Sequence, residues 1–298
     1  MAIKKIRIGM FTVFKDIDID FCKGINILIG ENGTGKTHLL KLLYIDCDRF
    51  PGQRLRPYFN CEGVSIGNEG VDYYEENMSR KSIFIPAKEM LSHSKGLLAL
   101  DRERTIPFDK TLIDIVSKAE LGEFKAVTKF HEKLLSTISK IIDGEVIYEN
   151  DTFYILKNNG LKIEFSMEAE GFCKFGLLWK LIRNGLLEKD TILFWDEPEA
   201  NINPQLIPVL VEILLELQRN GVQIFLATHD YNLAKYFEVK QKKEDNIVYH
   251  SLFKTKSGVQ YTKAVTYEDI ANNPIEEAGE KLYADILNST FGEITADE

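Results

Sequence analysis

Little in this chain of 298 residues points to an oxidising or membrane-bound setting. It holds only four cysteines, Cys22, Cys47, Cys61 and Cys173. Their spacing excludes Cys-x-x-Cys metal and redox motifs, and so few thiols do not make a disulfide framework. They read as reduced and structural. No stretch approaches the ~18 apolar residues that a membrane span requires, and Met-Ala-Ile-Lys-Lys-Ile at the N-terminus runs directly into a strand pattern without a signal-peptide core. A cytoplasmic protein with no membrane partner is expected. Positive charge is also scarce: 37 Lys and Arg stand against 46 Asp and Glu, for a net charge of −9. Bulk charge therefore gives nucleic-acid binding no support, although a local basic patch can hide in an acidic total. Internal repeats and low-complexity linkers are absent, so no clean domain boundary is marked.

What is present is apolar material, 44% of residues, enough for one sizeable core. Strand-like mixing from Ile3 to Phe14 is followed by period-two alternation in Asp16 to Phe21, which predicts two paired N-terminal strands. Ile25 to Ile29 is almost continuously apolar, the pattern of a strand buried on both faces. A helix is expected over about 35–45. Residues 50–80 read as irregular, and Ser82 to Ile85 as a short strand stopped by Pro86. From Thr111 to Ile142 the apolar positions, Phe124 and Val127 among them, recur at helical spacing with a break at Gly122. This predicts an inserted, mainly helical lobe at about 90–145. Three short strands follow between Glu145 and Phe165, then a helix over 171–187, a buried strand at 191–195, a helix from Pro204 to Gly221 and a buried strand at 222–227. A closing hairpin, 246–253 and 258–265, reads as an antiparallel edge. Strands alternating with helices imply an α/β fold with a mainly parallel sheet.

Three motifs carry chemistry. Gly30 to Thr37 matches G-x-x-x-x-G-K-[ST] in full and lies between a strand and a helix, the context that gives the pattern its meaning. There backbone N–H groups and the helix N-terminus cradle phosphate, Lys36 reaches the β- and γ-phosphates, and Thr37 offers its hydroxyl to magnesium. The nucleotide-binding candidates are Asn32, Gly33, Thr34, Gly35, Lys36, Thr37 and His38. Second, Ile192 to Trp195 runs into Asp196 and Glu197, two acids at the C-terminal end of a buried strand, where open α/β sheets bind ligands. Asp196 is assigned to the metal with Thr37, and Glu197 to general-base activation of water. Third, a strand ends in Thr228-His229-Asp230, and His229 there can address either the γ-phosphate or the attacking water. Lys36, Glu197 and His229 are the catalytic candidates. Phe11 and Phe14 are candidates for the adenine.

In this order the motifs resemble ABC-type P-loop ATPases, in the branch of chromosome-maintenance, recombination and overcoming-lysogenization-defect ATPases. The resemblance makes Gly30 to Thr37 the Walker A loop, Ile192 to Glu197 Walker B, Glu199 to Pro204 the D-loop, His229 the switch histidine and Ile83 to Glu89 the Q-loop region. Asp-Glu-Pro-Glu-Ala-Asn-x-Asn-Pro is most like the overcoming-lysogenization-defect type. It implies a single ATPase domain over residues 1–298 and a head-to-head homodimer enclosing two ATP molecules. Each signature motif then reaches the partner's γ-phosphate; here it aligns with Glu168 to Phe172, where Ala169 replaces the usual serine and Gly171 is the phosphate-facing candidate.

Too little chain follows Asp230 to hold the nuclease domain of DNA-cutting relatives, given ~100–150 residues per domain, and 111–142 is too short for coiled-coil arms. The expected activity is hydrolysis of ATP to ADP and phosphate with magnesium. The leading setting is a regulatory ATPase with a protein partner in anti-phage or mobile-element defence. An ATP-dependent DNA repair clamp is the alternative, and a transporter subunit ranks last.

Overall fold

A computed structural model describes residues 2–47, 71–73, 80–103, 108–123 and 128–291. The N-terminal strands β1 (Lys5–Phe11) and β2 (Phe14–Asp20) form an antiparallel hairpin. β3 (Ile25–Gly30), buried at every residue, leads into α1 (Lys36–Asp46). β4 (Val71–Tyr73) pairs antiparallel with β1, so the stretch expected to be irregular contributes an outer strand. The rest of 50–79, Cys61 within it, lies outside the described residues, as do Phe124 and Val127.

β5 (Ser82–Ile85) is followed by α2 (Leu97–Glu103), α3 (Lys110–Ala119) and α4 (Lys129–Ile142). Asp109 and Thr128 accept hydrogen bonds from backbone N–H groups in the first turns of α3 and α4, the usual start for a helix after a loop. β6 (Gly144–Glu149), β7 (Thr152–Lys157) and β8 (Lys162–Glu164) make a separate three-stranded antiparallel sheet. α5 (Glu170–Arg183) is shorter than the expected 171–187, because the chain turns left-handed at Gly185, φ +70°. β9 (Ile192–Asp196), α6 (Ile207–Arg219), β10 (Gln223–Ala227) and α7 (Tyr231–Lys240) follow. Pro204 opens a 3₁₀ turn ahead of α6 and does not itself start the α-helix. β11 (Ile247–Thr255), β12 (Gly258–Ala264) and α8 (Pro274–Phe291) close the chain.

The large sheet runs β4-β1-β2-β12-β11-β3-β10-β9-β5. Five neighbouring strands, β11-β3-β10-β9-β5, are parallel. The expectation for the closing hairpin is corrected here. β11 is parallel to β3 on one side and antiparallel to β12 on the other, and β12 meets β2, so the hairpin joins the parallel core to the N-terminal strands. Hairpin periodicity is a local signal and carries no information about which strand lies next door.

Two buried clusters, one on each face of the sheet, divide the central strands by parity. Leu193, Trp195, Ile224 and Leu226 face the cluster that includes the apolar sides of α3 to α6, whereas Ile192, Phe194, Phe225 and Ala227 face α1 and the N-terminal strands. Helices from the 90–145 stretch thus share a core with β9 and β10. Lys118 donates to Ser82 O at 2.8 Å and Trp179 to Ser139 Oγ at 2.9 Å, polar ties across the same packing. Among the described residues no helix is long and apolar enough to cross a membrane.

Ser251 lies in β11 opposite Ile29 on one side and Thr262 on the other, and is fully buried. Ser251→Pro removes a donor from an internal ladder and should lower the unfolding free energy by ~3 kcal/mol or more. Chemical denaturation measures it; a loss below ~1 kcal/mol is what an edge strand would show.

Candidate active site

The C-terminal ends of β3, β9 and β10 lie side by side, and each ends in one of the three motifs. The strand parity that sorts the core also aims the acids. Asp196 has the parity of Ile192 and Phe194, so its side chain falls on the α1 face, and there it accepts a hydrogen bond from Thr37 Oγ1 at 2.9 Å. Gly35 takes φ +89° immediately before α1, and a Cβ there would lie 2.7 Å from Phe14 Cζ. The loop can close onto the hairpin only with glycine at that position. Lys36 is 7% exposed and folds back on the loop, donating to Gly30 O at 2.8 Å and Glu31 O at 3.0 Å.

Glu197 follows Asp196 with φ +47°, an uncommon left-handed backbone for a side chain of this size. Such strain persists only where surroundings enforce it. Its N–H donates to Ala227 O at 2.9 Å, and its carbonyl accepts from Ala200 N at 3.1 Å and from Lys174 Nζ at 3.0 Å. The buried carboxylate of Glu199 accepts from Thr228 Oγ1 at 2.6 Å and from the His229 N–H at 3.3 Å. Asp230 is used elsewhere: it caps α7 by accepting from Leu233 N at 2.6 Å. His229 is therefore left exposed at the corner, between a buried threonine and a helix cap.

Burial dominates the electrostatics. It pushes Asp196 above the usual carboxylate range, against the Thr37 hydrogen bond that favours the charged form, and Glu197 pushes the same way. Glu199 is raised for the same first reason, opposed by Thr228. Burial lowers Lys36 to about 8, with Asp196 and Glu197 pulling it back up. His229, though exposed as a residue, is lowered by partial desolvation of its ring and then by the Lys36 ammonium, while Glu197 acts in the opposite direction. Lys36, Asp196, Glu197 and His229 thus share one field. Thr37 and Asp196 together offer two hard oxygen donors at one point, a donor set that would suit magnesium when phosphates and water supply the remainder.

Other candidates lie apart from this cluster. His38 turns from the loop to the β1–β2 turn, its Nδ1 3.1 Å from Thr12 Oγ1 and its ring edge-on to Phe11. Phe11 is 4% exposed and Phe14 is fully buried, so neither ring is open to an adenine, and both expectations are corrected by packing. Gly171 is in the first turn of α5, where an added Cβ would lie 2.8 Å from Asn201 O in the D-loop segment. Glu89 spends its carboxylate on the N–H groups of Leu91 and Ser92. Asn32 O accepts from Lys254 Nζ at 2.7 Å, and Thr34 Oγ1 donates to Glu31 O at 2.9 Å. The motifs gave no warning of Lys174 or Lys254, which come from a helix and a hairpin outside them. For Glu199 and Thr228 their places within the two motifs were the available signal.

The sequence profile of the family described as "AAA domain, putative AbiEii toxin, Type IV TA system" matches residues 71–235, more than half of the chain, and another described as "AAA domain" matches residues 5–82. The chain belongs to the first of these families. It is a P-loop, ABC-type ATPase domain that binds and hydrolyses ATP. Among curated proteins this AAA-domain chain is 26% identical over 226 residues to the uncharacterized ABC transporter ATP-binding protein YybJ of Bacillus subtilis (strain 168), covering 75% of the chain and 81% of YybJ. It is 25% identical to the xylose import ATP-binding protein XylG of Shigella flexneri, over 70% of the chain but 34% of XylG. The fold is similar to that of an SMC head solved bound to the C-terminal winged-helix domain of ScpA, with TM-score 0.57 at 12% identity over 90% of the chain and 99% of the head. The SMC head domain from Thermotoga maritima gives TM-score 0.50 at 13% identity over 89% and 99%.

In this AAA-domain protein Lys174, 2% exposed, is the link between α5 and the strained backbone of Glu197. Lys174→Met should lower ATP turnover about tenfold or more by relaxing that backbone, since small misplacements of reacting groups are costly. ATP affinity should stay within about twofold, because the phosphate loop is untouched. Steady-state kinetics with a separate nucleotide titration distinguishes this from general loss of binding.

Proposed function

We propose that this ATPase is a nucleotide-gated regulator that closes head-to-head with a second copy around two Mg-ATP molecules and engages a protein partner in its closed form. One observation carries the reading. The N-terminus of α5 has no side-chain cap, Gly171 in its first turn packs on the D-loop segment, and Lys174 one turn further on holds the Glu197 carbonyl. A helix end without a side-chain cap, wired to the hydrolytic glutamate and not seated on its own phosphate loop, suits an anion brought by another copy.

Within each site the loop N–H groups from Asn32 to Thr37 hold the α- and β-phosphates, and Lys36 leaves its carbonyl partners for the β- and γ-phosphates. Glu197 accepts a proton from the attacking water as the new bond to the γ-phosphorus forms and the bond to the β-γ bridging oxygen breaks. His229 orients the γ-phosphate or that water, held in place by Glu199 through its N–H. Thr37 and Asp196 would hold magnesium, which supplies neutralisation of phosphate charge when bound. The family description, with its toxin and type IV toxin–antitoxin system, supports defence as the setting. The names of the curated relatives favour a second reading, energising a membrane transporter, which co-purification with a membrane subunit would support.

Glu197→Gln should cut turnover by about a hundredfold or more while keeping ATP binding. Sedimentation should find it dimeric in ATP and magnesium and monomeric without nucleotide; Lys36→Ala should lose both binding and dimerisation. Normal turnover in Glu197→Gln excludes that residue as the base, and a monomer at saturating ATP excludes the closed dimer. ATP-driven DNA binding that weakens with salt would instead point to the clamp.

A further inference from the structure

The closing hairpin does more than bridge the sheet. Because β11 runs parallel to β3 with Leu252 opposite Gly30, its last residues, Phe253 to Thr255, continue past the end of β3 and overhang the phosphate loop. Lys254 reaches back from there. Its ammonium donates to Asn32 O at 2.7 Å, stands 3.8 Å from Glu31 Oε2, and comes within 3.6 Å of where a Cβ on Gly33 would be. Glycine at 33, with φ +76°, leaves that approach open.

Among the described residues all peptide bonds are trans. In a trans peptide the carbonyl of one residue and the N–H of the next are fixed in opposite directions. A cation on Asn32 O therefore sets the direction of the Gly33 N–H, turning it away from the hairpin. It also draws electron density from the peptide, which makes that N–H a stronger donor, as chained hydrogen bonds polarise one another. Lys36 holds the carbonyls of Gly30 and Glu31 in the same way, but it must leave them to meet phosphate. Lys254 need not leave.

We infer that Lys254 is a positioning residue for nucleotide binding, which aims and polarises the Gly33 N–H at the phosphates through the Asn32 carbonyl. It lies in no part of the chain that the phosphate-loop pattern covers, and only the sheet order brings it there. The role concerns binding of the β-phosphate by the loop. It extends equally to ADP and ATP and does not depend on a closed dimer.

The test uses the full chain with Lys254→Ala, Lys254→Gln and Lys254→Arg. Calorimetric titration with ADP, and with a non-hydrolysable ATP analogue, should show affinity falling about five- to tenfold for both nucleotides in the Ala and Gln variants. Arg, which keeps a charged donor, should recover most of it. Turnover at saturating ATP should change by less than about twofold, so KM moves and kcat does not. In nucleotide-free protein the Gly33 amide proton should move upfield in the Ala and Gln variants, with the Gly35 amide unmoved. Unchanged affinities, or an unmoved Gly33 amide, overturn the assignment. Loss for the ATP analogue alone would instead place Lys254 on the γ-phosphate and also overturn it. With half of its side chain in solvent, Lys254 can be replaced without opening the core.

Discussion

The hydrogen bond from Thr37 to Asp196 joins the first turn of α1 to the end of β9, across the intervening β10. Everything chemical in the molecule is arranged around that junction. It exists because α1 lies on the sheet face to which the even-numbered residues of β9 point, so the last strand residue reaches the helix that the phosphate loop begins. The residue after it cannot continue the alternation, and Glu197 takes a left-handed backbone held by Ala227, Ala200 and Lys174. The two adjacent acids, Asp196 and Glu197, are thereby separated by one peptide unit and one enforced turn.

Burial then acts on this junction as a source of tension. Asp196 and Glu199 are carboxylates pushed toward neutrality, and Lys36 and His229 are bases pushed the same way. Lys36 donates to backbone carbonyls, and Asp196 accepts from a hydroxyl. A polyphosphate with its cation would supply the opposite charges that each group lacks. Glu199 links the strands bearing Glu197 and His229, while Lys174 links the strained turn to the helix bearing Gly171. The site is thus mechanically continuous with the surface on which a second copy is proposed to act.

The strands and helices were legible wherever periodicity was strong. β3, β9 and β10 are mostly apolar and buried at every residue because both faces are covered, and β2 alternates because only one is. Two misplacements share a cause. The closing hairpin was read as an edge, and Phe11 and Phe14 as adenine candidates. In both, neighbours distant in sequence decided the matter: β3 beside β11, and His38 and Gly35 against the aromatic rings. The helix expected to run on to 187 stops for a local reason, the left-handed Gly185 just beyond α5.

By itself the sequence determined the chemistry of the phosphate loop, because a glycine-rich turn with a lysine between strand and helix satisfies phosphate through consecutive local backbone groups. It determined the order of the acids and the histidine for the same reason, each at the end of a short buried strand. Only the tertiary structure decided which side chains hold those groups in place. Lys174, Glu199 and Lys254 act through carbonyls and N–H groups of segments far away in the chain, and pairing of that kind follows from strand order and helix packing, which no local pattern encodes.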